Sequence, residues 1–161
     1  MKNNQIGTYR LMQVGEEDVV FELVLQGFHQ YIAPTYSRNG IETFLSLLSV
    51  DFLKENGPNR FTLVAEHQAH LVGMLTNIST GHIALLFVDS AFQGYGIGKN
   101  LLHYYMKYCL EKYPRLTSIT VSASLNSQSF YEHTGFVKMD VEQEENGMWF
   151  IPMQRSINVV I

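Results

Sequence analysis

Cysteine is almost missing from this chain: Cys109 is the single one among 161 residues. No disulfide can form within the chain, and a metal site built from cysteines is excluded. Long apolar runs are missing as well. No stretch approaches the ~18 residues of a membrane span, and the opening residues MKNNQIGTYRLMQVGEEDV lack the continuous apolar segment of a signal peptide. These absences point to a soluble, cytoplasmic protein with no membrane partner. Positive charge is also scarce, since eleven Lys and Arg stand against fifteen Asp and Glu for a net charge of −4. The basic residues are scattered rather than gathered into a stripe, which speaks against a nucleic-acid partner.

What is present is the ordinary balance of one globular domain, with 46% hydrophobic and 16% charged residues and no repeat, low-complexity stretch or long linker. Residues 1–161 therefore read as a single domain. TYRLMQV, residues 8–14, reads as a first strand. The stretch EEDVVFELVLQGFHQYI then places Val19, Val20, Leu23, Val24 and Phe28 at helical spacing, and the helix is expected to stop before Pro34. A second helix is expected from Gly40 to Lys54, with Ile41, Phe44, Leu45 and Leu48 on one face and GPN at 57–59 ending it. RFTLVAEH (60–67) and LVGMLTNI (71–78) read as an antiparallel hairpin without an Asn-Gly turn.

HIALLFV, residues 82–88, is apolar from Ile83 onward without alternation, the pattern of a central strand covered on both faces. A helix from Gly96 to Tyr113 follows, burying Leu101, Leu102, Tyr105, Cys109 and Leu110, and then a strand TSITVSA at 117–123. Strand, crossover helix and strand make a βαβ unit with two parallel strands. A short helix over Gln128–His133, closed by Gly135, leads to a final pair, FVKMDVEQ and MWFIPMQR, turning at EENG, residues 144–147. The expected class is α/β of the α+β type: a mixed, mostly antiparallel twisted sheet of about seven strands, flanked by about four helices, around a central βαβ unit.

QGYGIGKN, residues 93–100, lies between the central strand and its crossover helix, with glycine at 94, 96 and 98. Glycines at the mouth of a helix expose several N–H groups, and the helix dipole adds positive potential there, so the segment builds an anion site. Two familiar loops fail on spacing. A dinucleotide G-x-G-x-x-G starting at Gly94 would need glycine where Lys99 stands, and a phosphate loop ending at Gly98-Lys99 would need glycine at Gln93 and Ser or Thr at Asn100. A glycine turn that only lets the helix approach the sheet remains an alternative from this loop alone.

Gln93-Gly94-Tyr95-Gly96-Ile97-Gly98 resembles the signature of the GNAT superfamily of acyl-CoA N-acyltransferases, which asks for Gln or Arg, then Gly after two free positions, then Gly or Ala after one more. LLFVDSAF upstream resembles that family's pantetheine-binding strand. LNSQSFYEHTGF downstream resembles its second cofactor segment, with Asn126, Phe130, Tyr131 and Gly135-Phe136 in the usual places. The resemblance implies a GNAT-like fold with acetyl-CoA (coenzyme A) as cofactor. Backbone amides from Gln93 through Lys99, including Tyr95 and Ile97, would hold the pyrophosphate. Leu86, Phe87 and Val88 would pair with the pantetheine amides as a pseudo-strand, with an N–H near Phe87 or Val88 polarising the thioester carbonyl.

The resemblance also implies an N-acetyltransferase acting on a primary amine by direct attack in a ternary complex. Tyr131 resembles its general acid, a phenol suited to protonating a departing thiolate; a tyrosine merely packed on the slot is the plainer alternative. Asn126 is expected on pantetheine or nearby backbone, or as a cap of the short helix. His82 falls where some members carry a glutamate base, with a water chain or an amine that arrives neutral as alternatives. Cys109, on the buried helix stripe, is not expected to be a nucleophile, and no metal is implied. Tyr31, Tyr36 and Arg38, with Glu66 and Trp149, are candidates for the acceptor, a small-molecule or peptide amine. A non-catalytic acyl-CoA-binding or regulatory module is the competing reading. Monomer and homodimer both stay open, because the final segment SINVVI offers a strand to a partner sheet.

Overall fold

The computed structural model of the chain describes residues 6–55 and 59–157. Most of the expected final segment, residues 158–161, lies outside the described residues, as do Gly57 and Pro58 of the expected helix stop. Among the described residues eight strands form one sheet: β1 (Thr8–Leu11), β2 (Thr62–His67), β3 (His70–Ser79), β4 (His82–Val88), β5 (Ser118–Ala123), β6 (Val137–Lys138), β7 (Gln143–Glu145) and β8 (Met148–Ser156). Their order is β1-β2-β3-β4-β5-β8-β6, with β7 on the other half of β8. Only β4 and β5 run parallel; the other pairs are antiparallel. The helices are α1 (Glu17–Gly27), α2 (Arg38–Leu47), α3 (Val50–Lys54), α4 (Ile97–Lys112) and α5 (Gln128–His133).

The middle strands are buried on both sides because helices cover both faces. On the α4 face, Leu75, Ile83, Leu101, Tyr105, Ile119 and Met153 form one cluster. On the opposite face, α1, α2 and α3 contribute to a second cluster around Val20, Val24, Phe28, Val64, Met74 and Phe87. Each fully buried aliphatic side chain stabilises the fold by roughly 1.5–3 kcal/mol. Among the described residues no helix is long and apolar enough to cross a membrane.

The expected hairpin forms, and three local departures from the sequence pattern have physical causes. The β2–β3 hairpin turns on Gln68 and Ala69, both at positive φ (49° and 65°), so the two-residue turn forms without glycine. The single helix expected over 40–54 is two, because Ser49 caps α3 by accepting from the Phe52 N–H at 3.0 Å, just as Ser37 caps α2. Helical backbone does not stop before Pro34: α1 runs on through a π turn, Phe28–Ile32, and a 3₁₀ turn, Ala33–Thr35, whose early position tolerates a missing N–H. The expected strand FVKMDVEQ is broken into β6 and β7, each pairing a different half of β8.

The tip between β7 and β8 is Asn146-Gly147, both at positive φ (51° and 82°). This tip packs on the start of α2, where Gly147 O accepts from the Ser37 N–H at 3.1 Å and Asn146 O from Asn39 Nδ2 at 3.2 Å. A Cβ at Gly40 would overlap the Gly147 carbonyl oxygen. Gly40→Ala is therefore expected to destabilise the fold by about 1–3 kcal/mol, read as a fall in Tm of roughly 2–4 °C per kcal/mol. An unchanged melting curve would show that the two backbones can separate freely.

Candidate active site

The site begins with one extra residue. Along the β3–β4 ladder Asn77 faces Ile83 but Thr76 faces Leu85, so Ala84 is a β-bulge. A bulge reverses which way later residues point. Ile83, Leu86 and Val88 all join the α4-side cluster, whereas Leu85 and Phe87 join the opposite one; strict alternation would have grouped Ile83 with Leu85 and Phe87.

The backbone reverses with the side chains. Before the bulge the Gly81 carbonyl accepts from the Thr120 N–H at 2.8 Å, which sets odd-numbered residues toward β5. After it, the Asp89 N–H donates to the Val72 carbonyl at 2.8 Å, which sets odd-numbered residues toward β3. Leu86 and Val88 therefore aim their N–H and C=O groups at the β5 side. There β5 has left: the β4–β5 ladder holds only His82 with Thr120 and Ile83 with Val121. Of the three strand residues expected to offer backbone to a ligand, Leu86 and Val88 turn theirs to the side that β5 has left, and Phe87 turns its backbone to Met74 and keeps only its ring near the slot.

The parted strands open into a cavity of about 680 Å³, lined by Leu86, Phe87, Val88, Gln93, Gly94, Gly96, Ile97, Gly98, Lys99, Asn126, Phe130 and Tyr131. Tyr95 alone among the expected loop residues stays out of the lining and stands exposed. Gly94 and Gly96 sit at φ 84° and 80° with nothing within 4 Å of where a Cβ would be. Their glycines answer to backbone conformation, not to crowding. Gly96 is the residue before α4, and Gln93 Nε2 donates to the Val88 carbonyl at 3.3 Å, tying the loop to the strand end. The lining also includes Ile32, outside every motif, and Phe92, Ser127, His133 and Thr134, which lie within the quoted motifs but were not named as site residues.

Tyr131 is buried, with its ring edge-on to Phe130 and Phe136 at 5.1 and 5.2 Å. Burial pushes its phenol well above the ordinary value, so it stays protonated in neutral solution. Asn126 does not cap α5; its Nδ2 donates to the Tyr31 carbonyl at 2.6 Å. Cys109 is fully buried and its thiol is pushed up by burial, which removes a ready thiolate.

The acceptor candidates separate. Tyr31 lines the cavity. Tyr36 does not; it packs edge-on to Phe28 and Phe44. Arg38 is solvated and faces Glu42 at 3.4 Å. Glu66 is held by Arg10 at 2.9 Å on the β1–β2 side of the sheet, away from the slot. Trp149 lies on β8 opposite Glu144 of β7, outside the lining. His82 also stands outside it, at the closed base of the β4–β5 opening, with Nδ1 2.7 Å from Thr120 Oγ1.

The family description "Acetyltransferase (GNAT) domain" matches residues 32–157. The chain belongs to the GNAT acetyltransferase family. Solved structures share the GNAT fold throughout. A GCN5-related N-acetyltransferase from Rhodopseudomonas palustris is 22% identical over 94% of this chain and 96% of that one, with a TM-score of 0.80. The PaiA N-acetyltransferase from Thermoplasma acidophilum, solved with coenzyme A, is 19% identical over 94% and 99%, with a TM-score of 0.77. An acyl-CoA N-acyltransferase from Pseudomonas aeruginosa is 19% identical over 92% and 98%, with a TM-score of 0.66. No curated protein matches the chain.

Burial lowers the pKa of His82 from its ordinary 6.5. As pH falls the unfolded chain takes up this proton first, so the stability held by the neutral ring is complete above pH 6.5 and is lost through the window below it. Between pH 7 and pH 5 the wild-type Tm is expected to fall further than that of His82→Gln; parallel falls would remove His82 from the acid sensitivity.

Proposed function

We propose that this GNAT domain is a cytoplasmic enzyme that transfers an acetyl group from acetyl-CoA to a primary amine of a small molecule or peptide, by direct attack with both substrates bound. The observation that carries this reading is the free strand edge at Leu86 and Val88, which leads directly into the glycine loop and the N-terminus of α4. Coenzyme A fits that shape. Its pantetheine amides match a bare strand edge as an added strand would, and its pyrophosphate matches the exposed N–H groups and positive dipole end at Gly94–Lys99. Phe130 and Val88 give the arm an apolar wall, since both rest near Gly98.

When bound, acetyl-CoA supplies an acyl thioester whose carbonyl an amine can attack. The backbone N–H of Leu86 or Val88 stabilises the negative charge that develops on the carbonyl oxygen. Tyr131 gives its hydroxyl proton to the departing sulfur, and the tyrosinate is reprotonated by the proton that the attacking amine releases. His82 stands apart from the lining, which favours an amine that reaches the slot neutral or loses its proton to water.

Calorimetric titration of the purified protein with acetyl-CoA, with NAD and ATP as controls, tests the ligand: binding of acetyl-CoA alone is expected, and preference for a control nucleotide would overturn it. Thiol release over an amine panel tests the chemistry. Tyr131→Phe is expected to lower kcat by about 10²–10⁴ while still binding acetyl-CoA. Equal rates in the two proteins would remove Tyr131 as the acid, and binding without thiol release in the wild type would favour a non-catalytic acyl-CoA module.

A further inference from the structure

The cavity passes through the sheet rather than lying on one side of it. Gln93–Lys99 and Phe130 line it from the α4 face, while Tyr31 and Ile32 line it from the face covered by α1. Tyr31 and Ile32 end the π turn that follows α1, in which the Ala33 N–H reaches back to the Phe28 carbonyl. That turn lies over the opening because α1 sits close on β4: a Cβ at Gly27 would overlap the Phe87 ring.

Asn126 comes from the other side, in the 3₁₀ turn after β5. Its Nδ2 hydrogen bond to the Tyr31 carbonyl, 2.6 Å long and joining residues 95 apart, spans the parted strands where β4 and β5 have ceased to touch. One amide hydrogen of Asn126 is thus committed to the wall of the slot. The wall it holds is apolar, made of Tyr31, Ile32 and Phe87, and none of the described lining residues is Asp or Glu. The charge at the far end is positive, from Lys99 and the α4 N-terminus. An acceptor bearing several ammonium groups would meet no counter-charge there, and desolvating each would be costly.

We propose that Asn126 is a positioning residue for the acceptor: by holding the Tyr31 carbonyl across the slot it fixes an apolar entrance of Tyr31, Ile32 and Phe87. That entrance selects a single primary amine on an aromatic or aliphatic body over a polycation. This rests on the acetyltransferase reading above. It gives the hydrogen bonded to Tyr31 a role apart from coenzyme A.

The test is steady-state acetylation of 2-phenylethylamine and n-hexylamine against spermidine and kanamycin, with acetyl-CoA binding followed separately by calorimetry. The wild type is expected to show the higher kcat/KM for the first two. Asn126→Ala, and the isosteric Asn126→Asp, which sets a carboxylate against the Tyr31 carbonyl, are expected to raise the amine KM roughly three- to tenfold, the scale of one net hydrogen bond. The Kd for acetyl-CoA should hold within about twofold, a separation that a loss of folding would not give. Preference for spermidine or kanamycin would overturn the proposal, as would weaker acetyl-CoA binding with an unchanged amine KM, which would put Asn126 on the cofactor. Acetyl-CoA binding with no turnover of any amine would overturn the acceptor assignment alone, whereas no acetyl-CoA binding would overturn the acetyltransferase reading and this proposal with it.

Discussion

The extra residue at Ala84 is what the slot depends on. It turns the backbone of β4 by one step between Ile83 and Leu85, so that Leu86 and Val88 present their peptide groups on the side from which β5 departs. Unpaired peptide groups inside a sheet are costly unless something satisfies them. A strand edge opened in the middle of a sheet is therefore a ligand site in waiting, and an amide-bearing arm is the kind of ligand it asks for. Without the bulge, Phe87 would turn its peptide groups to the opening and Leu86 would turn its own to β3. The anion loop would then end on a strand offering different groups.

The two faces of the sheet divide the work across that opening. On one, α4 and its glycine loop gather N–H groups and positive potential, and the apolar cluster beneath fixes the helix against β3 and β4. On the other, α1 and the π turn close over β4, with Phe28 stacked on Phe44 at 4.0 Å, and carry Tyr31 and Ile32 to the opening. Tyr131 belongs to the α4-side cluster, walled by Phe130 and Phe136 and deep enough that burial raises the pKa of its phenol.

Much of this is legible in the order of the amino acids. β4 spans the expected residues 82–88, α4 and α5 fall within a residue of their expected bounds, and the glycine loop lies at the mouth of α4. These signals are local: a continuous apolar run, a helical stripe, glycines at fixed spacing. The failures are local signals overruled or unnoticed. Ser49 marks a helix start inside one continuous apolar stripe. Glu66 carries the right chemistry for an acceptor site but sits two strands away, neutralised by Arg10.

The residues themselves determined the order of elements and the glycine loop, which rest on side-chain periodicity and on glycine's freedom at φ near 80°, and the family, which rests on the resemblance of three motifs. Only the tertiary structure decided which strand residues offer their backbone, that Asn126 reaches Tyr31, and that His82, Tyr36, Glu66 and Trp149 stand outside the slot. A bulge changes direction without leaving a mark in composition, and residues 95 apart become neighbours only when two faces of a sheet meet across a gap.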